Sequence, residues 1–271
     1  MERLRQCFAP QTGWRRRILA ELWADPSVLL PFVLIGFAAQ LVDGALGMAY
    51  GTISSTLLVS MGVPPAMASA GVHTVETATT GVSAISHIAH RNVNWKLFLR
   101  LVIPGVIGGV LGAYVLTQID AAVARPLVLT YLMCIGLFLL WRGWTHTHVE
   151  RDPKIVEPLG LIGGFLDAAG GGGWGPVVTS NLMVQGTHPR FTIGTVNTAE
   201  FFLTLTISAT FIFNLGLEVV STATIGLLIG GVVAAPLGAF IAKRLEPDRI
   251  LVLVGILLIA TSGFGLWKLF N

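Results

Sequence analysis

The chain has 271 residues, of which 54% are hydrophobic and only 11% are charged, and its mean hydropathy is +0.76. Soluble domains carry about 25% charged residues, so the composition excludes an ordinary soluble protein and predicts an integral membrane protein. The net charge of +3 comes from basic residues dispersed over short loops and the N-terminus. That distribution is typical of orientation in a membrane by loop charge, and it predicts no nucleic-acid partner.

Residues 1–26 are predicted to form a basic cytoplasmic lead-in. They contain five arginines before position 18 and lack the apolar core of a signal peptide. The two cysteines, Cys7 and Cys134, have no metal-binding or redox spacing. We therefore expect neither to take part in the function.

Residues 27–142 are predicted to form the first membrane repeat. A helix over about 27–42 precedes a glycine-rich stretch, 43–51, which has too little side chain for a stable regular helix. A short helix over 52–61 follows. This broken element is either one discontinuous span or a re-entrant hairpin, and the sequence leaves both open. A helix over 66–90 and spans at 96–116 and 121–141 complete the repeat.

A hydrophilic linker, 143–157, leads to the second predicted repeat, 158–271. This repeat has the same plan, with a broken element at 159–185, a helix over 190–213 and spans at 221–241 and 250–270. At an offset of 124, which aligns Asp43 with Asp167, eleven of the forty-one positions 36–76 are identical. Such self-similarity indicates an internal duplication. The predicted fold class is an all-α polytopic membrane protein of two homologous repeats, each with a Gly-rich broken or re-entrant helical element and about three transmembrane helices.

Four acidic residues recur as two pairs, Asp43 with Asp167 and Glu76 with Glu200. Burying a charged group inside a membrane costs free energy, so we expect each of these residues to have a structural or functional role. Each aspartate either caps the helix that follows the break or takes part in proton coupling or in the control of access to a central site. The glutamates are predicted to couple transport to protons or to gate it, because a protonated Glu donates to an anion whereas an ionised Glu repels it.

A polar stripe follows the first break. Its members are three and four residues apart and share one helix face, so we expect them to line a cavity or another helix. They are His73, Glu76, Thr80, Ser83, His87 and His90. The equivalents in the second half, Asn197, Glu200 and Thr204, preserve only the first part. The centre of the site is therefore expected near His73, Glu76, Asn197 and Glu200, with His87 and His90 interpreted as a cluster close to the loop.

The four consecutive glycines at 170–173 indicate a backbone that presents N–H groups rather than only a helix crossing. Such N–H groups and half-helix N-termini bind anions, and neither broken element contains Lys or Arg. Tight packing at a helix crossing is the alternative interpretation of the glycines. The predicted substrate-binding residues are Gly47, Gly51, Ser54, Ser55, His73, Thr74, Gly170, Gly171, Gly172, Gly173, Asn197 and Thr198. Thr52, Thr179 and Ser180 are further candidate hydroxyls.

The two breaks read D-G-A-L-G-M-A-Y-G at 43–51 and D-A-A-G-G-G-G-W-G-P at 167–176, and Pro-containing segments follow at 62–66 and 186–190. With the duplicated layout, these motifs make the chain similar to the TauE/SafE family of sulfite exporters, also called the 4-toluene sulfonate uptake permeases. The resemblance covers about 31–270. It implies transport of sulfur-containing anions such as sulfite, sulfoacetate or related organosulfonates, usually outward, across the bacterial inner membrane.

The predicted function is that of a multi-pass secondary transporter that exports a small sulfur-containing oxyanion with proton linkage, in contact with the lipid bilayer. A homodimer is left open. Two alternatives remain: a cation or metal transporter with Asp, Glu and His ligands, and an uncoupled anion channel. The sequence has no H-E-x-x-H, no G-x-S-x-G and no paired-aspartate protease pattern. We therefore expect no enzyme activity, no cofactor and no metal site.

Overall fold

The computed structural model describes residues 25–46, 48–144, 151–242 and 247–270. Within these ranges the chain is helical and no strand occurs. The α-helices are α1 (Leu30–Leu46), α2 (Tyr50–Ser60), α3 (Pro65–Ala89), α4 (Trp95–Gln118), α5 (Ala121–Trp144), α6 (Glu157–Gly170), α7 (Ser180–Val184), α8 (Pro189–Leu215), α9 (Thr222–Ala242) and α10 (Pro247–Phe270). Single 3₁₀ turns at Pro26–Leu29 and Gly216–Val219 precede α1 and α9, and a π-helical turn at Trp174–Thr179 leads into α7.

In the part of the chain that the structure describes, three helical segments are long and apolar enough to cross a membrane, namely Trp95–Gln118, Ala121–Arg142 and Arg190–Leu215. The spans predicted at 96–116 and 121–141 are therefore confirmed. The segments predicted at 221–241 and 250–270 coincide with α9 and α10, whose described apolar stretches are shorter, at Thr222–Ala234 and Gly255–Leu269. Large apolar side chains are exposed along these helices, as expected of surfaces that face lipid.

Two helix pairs approach so closely that backbone touches backbone. A Cβ added to Gly108 of α4 would lie 2.0 Å from the carbonyl oxygen of Leu161 in α6. One added to Gly230 of α9 would lie 2.0 Å from the carbonyl oxygen of Val33 in α1. Small residues at such crossings let membrane helices associate through van der Waals contact. Helix α3 packs against α8, and α5 against α10.

The bundle has two ends, which we call face A and face B. Face A contains the α3–α4 loop, the segment 151–156 and the start of α8, because Arg190 Nε donates to Asn92 Oδ1 at 2.6 Å and Asn94 N–H donates to Thr195 Oγ1 at 2.9 Å. Helices α4 and α8 have 24 and 27 residues and so extend over about 36–40 Å. Their C-terminal ends therefore lie at face B.

Each broken element begins and ends at the same face. In the second, Gln185 Oε1 accepts from the N–H groups of Lys154 and Ile155, both at 2.9 Å, so the chain returns to face A. In the first, α1 begins beside Gly226 near the face B end of α9. The Arg125 guanidinium at the face B end of α5 donates to the Gly62 carbonyl at 2.7 Å. Each broken element is therefore a hairpin with both ends at one end of the bundle, face B for the first and face A for the second.

Candidate functional site

The tips of the two hairpins touch inside the bundle. A Cβ on Gly172 would lie 2.3 Å from the carbonyl carbon of Gly51 and from the Thr52 nitrogen. A Cβ on Gly175 would lie 2.6 Å from the Met48 Cβ. Gly171 and Gly172 have φ values of +74° and +144°, which L side chains rarely adopt. Glycine is therefore required here by both close approach and backbone conformation, so the packing interpretation applies at the tips.

The glycine amides of the second tip have partners within the protein. The N–H groups of Gly171 and Gly172 both donate to the Asp167 carbonyl, the latter at 2.8 Å. This pattern ends a helix at a glycine of positive φ. In this structure the amides of Gly171 and Gly172 therefore face the carbonyls exposed where α6 ends, and their expected contact with an anion stays a prediction.

Side chains from three other elements satisfy the remaining carbonyls at the end of α6. Ser69 Oγ donates to the Ala168 carbonyl at 2.7 Å, Tyr131 Oη donates to the Gly172 carbonyl at 3.2 Å, and the Ser55 hydroxyl donates to the Gly171 carbonyl. Helix ends buried in a membrane need such donors because lipid supplies none. Ser55, predicted to bind substrate, is therefore committed to holding the two hairpins together.

Both aspartates cap the helical segment that returns from the tip. Asp167 Oδ1 accepts from the Trp174 N–H at 2.9 Å, and Asp43 Oδ1 accepts from the Tyr50 N–H at the longer distance of 3.4 Å. Each acceptor lies seven residues before its donor. A carboxylate here satisfies an orphan amide and lies at the positive end of the helix dipole. Of the two interpretations left open for the aspartates, the capping role is present in the structure.

Asp167 also contacts His73, and the pair shares one proton. His73 Nδ1 lies 2.7 Å from the Ser69 carbonyl oxygen, which only accepts, so Nδ1 carries hydrogen. His73 Nε2 lies 3.0 Å from Asp167 Oδ2, and both side chains are buried. A hydrogen bond there requires a proton on one of the two atoms. The pair is therefore either imidazolium with carboxylate or imidazole with carboxylic acid, and it is neutral overall in both forms.

The two glutamates lie close to this centre. Glu76 Oε1 lies 3.0 Å from the position of a Cβ on Gly51, so its carboxyl group reaches the first hairpin tip. It interacts electrostatically with Asp167, Glu200 and Asp43. The structure thus brings all four acidic residues together. The described residues contain no group of three or more His, Cys, Asp or Glu side chains arranged to hold a metal ion.

The polar stripe of α3 faces α8. Thr80 Oγ1 lies 3.5 Å from Thr204 Oγ1, and Asn197 Nδ2 donates to Ser83 Oγ at 3.4 Å. The expectation that the stripe lines another helix is confirmed at these positions. His87 lies outside this contact, at the face A end of α3, where its Nδ1 is 3.4 Å from Asn92 Nδ2. It therefore belongs to the loop-proximal cluster.

Of the other predicted site residues, some form hydrogen bonds or packing contacts within the protein, and others have a polar atom that remains available to a ligand. The hydroxyls of Thr74 and Thr198 donate to the carbonyls of Ala70 and Gly194 in their own helices, at 2.7 and 2.6 Å. Gly170 and Gly173 pack against Tyr131, and Gly47 lies outside the described residues. The available groups are Ser54 Oγ and Thr179 Oγ1, which are buried without a hydrogen-bond partner of normal geometry among the described residues.

Two residues that hold the site together were not predicted. Ser69 was detectable in principle, because it lies four residues before His73 and hence on the same helix face. Tyr131 gives no periodic signal, since it is an isolated hydroxyl in the apolar helix α5. Only the fold, which brings α5 against the end of α6, reveals its hydrogen bond to Gly172.

Known proteins resemble this chain along most of its length. Residues 32–264 match the family model described as "Sulfite exporter TauE/SafE". The "Probable membrane transporter protein YtnM" of Bacillus subtilis is 43% identical over 236 residues, which cover 84% of this chain and 79% of that protein. A "Probable membrane transporter protein" of Haemophilus influenzae is 25% identical over 76% of this chain and 81% of that protein.

A shorter match, 25% identical over 111 residues, links 41% of this chain to 23% of "Sulfite exporter TauE/SafE family protein 3" of Arabidopsis thaliana. No solved structure matches the chain. The family model spans both hairpins and the helices that follow them. The chain therefore belongs to the TauE/SafE sulfite exporter family of membrane transporters.

Proposed function

We propose that this protein is a secondary transporter that exports a small sulfur-containing oxyanion, sulfite or an organosulfonate, across the bacterial inner membrane. The observation that carries the proposal is that two buried hydroxyls on the segments that return from the hairpin tips, Ser54 Oγ and Thr179 Oγ1, form no hydrogen bond of normal geometry among the described residues, although Ser54 interacts with the Tyr50 hydroxyl. Buried hydroxyls nearly always have a partner. A substrate oxygen supplies one.

The transport experiment uses purified full-length protein in proteoliposomes with sulfite inside. We expect sulfite efflux with the unaltered protein, and about a tenfold rise in apparent KM for Ser54→Ala combined with Thr179→Val, because hydrogen bonds to a charged ligand are lost. Thr206→Val is the matched control, since that hydroxyl donates at 2.7 Å to Phe202 in its own helix. Absence of sulfite and organosulfonate flux with the unaltered protein would contradict the function. A KM unchanged in the double variant would contradict the site.

The glutamates are proposed to provide the proton linkage. Glu76 lies at the first hairpin tip and interacts electrostatically with Glu200. Their protonation therefore decides whether an anion bound at Ser54 and Thr179 meets donors or negative charge. We expect Glu76→Gln combined with Glu200→Gln to abolish the dependence of sulfite flux on the pH gradient.

Glu157→Gln is the control for the glutamate variants. Its carboxylate is exposed and pairs with Arg100, with Nε to Oε1 at 2.5 Å. An unchanged response to the pH gradient in the double glutamine variant would sink the coupling role of the glutamates. Sulfite flux that is independent of a pH gradient in the unaltered protein would instead identify an uncoupled channel.

We propose further that the two halves are an internal duplication with inverted orientation. The helix boundaries support this, because four of them recur at the offset found in the sequence. Helices α1 and α6 end at Leu46 and Gly170, and the returning segments begin at Tyr50 and Trp174. Helices α2 and α7 end at Ser60 and Val184, and α3 and α8 begin at Pro65 and Pro189. Inverted repeats around a central site are a common transporter plan.

Single-cysteine labelling tests this topology in a background without Cys7 and Cys134. We expect Ser27→Cys and Gly62→Cys to react with a membrane-impermeant maleimide from one side, and Lys154→Cys and His188→Cys from the other. If the broken elements spanned the membrane, the two members of each pair would react from opposite sides. Among the described residues, face A has eight Lys and Arg residues and face B two, which favours face A as cytoplasmic. They are Arg91, Lys96, Arg100, Arg142, Arg151, Lys154, Arg190 and Arg249 on face A, and Arg125 and Lys268 on face B.

A further inference from the structure

A cavity of about 510 Å³ opens on face A, at the mouth of the second hairpin and away from the hairpin tips. Its lining includes the side chains of Lys96, Arg100, Arg151 and Asp152 together with Leu97 and Phe191. Ligand cavities for small organic molecules fall in the range of roughly 300–1,000 Å³. The volume therefore suits an organic anion rather than a bare sulfite ion.

The cationic groups of this cavity differ in how they are engaged. Arg100 forms a bidentate pair with Glu157, with Nη2 to Oε2 at 3.0 Å in addition to the Nε bond. The side chains of Lys96 and Arg151 form no hydrogen bond or ion pair with any other residue that the structure describes, and only Asp152 offsets them in the lining. Two cations are therefore available to a ligand.

Helix dipoles and apolar groups add to the attraction. The hydroxyls of Thr187 and Thr192 are engaged with each other at 2.5 Å and with the His188 carbonyl at 2.9 Å, so they are not counted as donors to a ligand. Helices α4 and α8 begin at this cavity, and their dipoles favour negative charge there. The exposed ring of Phe191, which Arg190 also contacts, and the small exposed part of Leu97 offer an apolar surface to the body of the ligand.

We propose that this cavity binds an organic oxyanion, a sulfonate or a phosphate ester, with the oxyanion group between Lys96 and Arg151 and the organic part against Leu97 and Phe191. Two sources carry this chemistry, a soluble organosulfonate and the phosphate of an anionic lipid headgroup. The site does not depend on transport. If the ligand is a soluble organosulfonate, the cavity binds substrate before the substrate moves to the hairpin tips, and this role rests on the proposed function.

The test uses calorimetric titration of sulfoacetate into the full-length protein, in nanodiscs of phosphatidylcholine alone or with phosphatidylglycerol. Lys96→Gln combined with Arg151→Gln, which removes two positive charges, is compared with Lys154→Gln, which removes one from an exposed residue of the same segment outside the cavity lining. We expect the double variant to bind sulfoacetate at least about tenfold more weakly and the control to bind within about twofold of the unaltered protein.

The two sources give different results. If the lipid is the ligand, phosphatidylglycerol competes with sulfoacetate in the unaltered protein, and the double variant retains less phosphatidylglycerol after purification. If the soluble anion is the ligand, the isotherms in the two nanodiscs agree. The inference is overturned if the double variant matches the unaltered protein in both sulfoacetate binding and lipid retention. These isotherms are measurable even if the protein transports no sulfur oxyanion, so failure of the site and failure of the proposed function are separable.

Discussion

Gly172→Ala is expected to abolish transport and to destabilise the protein by about 3 kcal/mol or more. The added methyl group would lie 2.3 Å from two backbone atoms of the first hairpin, which no change of side-chain rotamer relieves. The φ of +144° at Gly172 adds backbone strain. Because each hairpin tip packs against the other, one hairpin would have to withdraw. Sulfite flux and thermal unfolding in detergent micelles measure the two consequences.

Gly62→Ala is the control that introduces backbone strain without a steric clash. Gly62 also has a positive φ, of +101°, but nothing lies within 4 Å of a Cβ built there. We expect this control to cost only about 1–2 kcal/mol and to leave flux unchanged. Equal effects of the two substitutions would mean that backbone conformation, rather than contact between the tips, decides the outcome at Gly172.

The sequence predicted the segments of the fold because glycine and proline act locally. The breaks at 43–51 and 167–176 and the helix starts near Pro65 and Pro189 follow from backbone freedom and from the missing N–H of proline. Whether each broken element turns back after its break or continues to the other face could not be predicted from the sequence. It depends on contacts such as Gln185 with Lys154, and the composition of a discontinuous span is the same as that of a hairpin.

The acidic residues of the site could be predicted, whereas their hydrogen bonds could not. Asp43, Asp167, Glu76 and Glu200 stand out because charge inside a membrane is rare. The partners of Gly171, Gly172 and Ser55 could not be read from the chain, because the carbonyls that end α6 take donors from whichever elements lie nearest. The glycines proved to be required for contact and helix termination.

The two aspartates, equivalent in sequence, differ in their surroundings, and this difference bears on proton transfer. Position 73 is histidine in the first half, and its equivalent in the second half is Asn197. His73 reaches Asp167 in the opposite hairpin, whereas Asn197 contacts Ser83 of α3. Among the described residues, a hydrogen bond between His and Asp, which requires a shared proton, is therefore present at the second hairpin tip and not at the first. Breaking a buried pair of this kind leaves a polar group without a partner, which typically costs about 3–5 kcal/mol.

Asp167→Ala is accordingly expected to lower stability by about 3–5 kcal/mol and to abolish transport, since it removes both the Trp174 cap and the partner of His73. Asp43→Ala, which loses only the 3.4 Å cap on Tyr50, is expected to cost about 1 kcal/mol. Asp167→Asn distinguishes structure from proton chemistry. Its oxygen still accepts from Trp174, and its amide donates to a neutral His73 Nε2 without a shared proton.

We therefore expect Asp167→Asn to unfold within about 1 kcal/mol of the unaltered protein while its sulfite flux loses part or all of its response to a pH gradient. Thermal unfolding in micelles and flux in proteoliposomes, measured on the same preparations, give the two readouts. If Asp167→Asn is as unstable as Asp167→Ala, the negative charge itself holds the hairpin tip in place. If it keeps the full pH response, the shared proton between His73 and Asp167 takes no part in coupling.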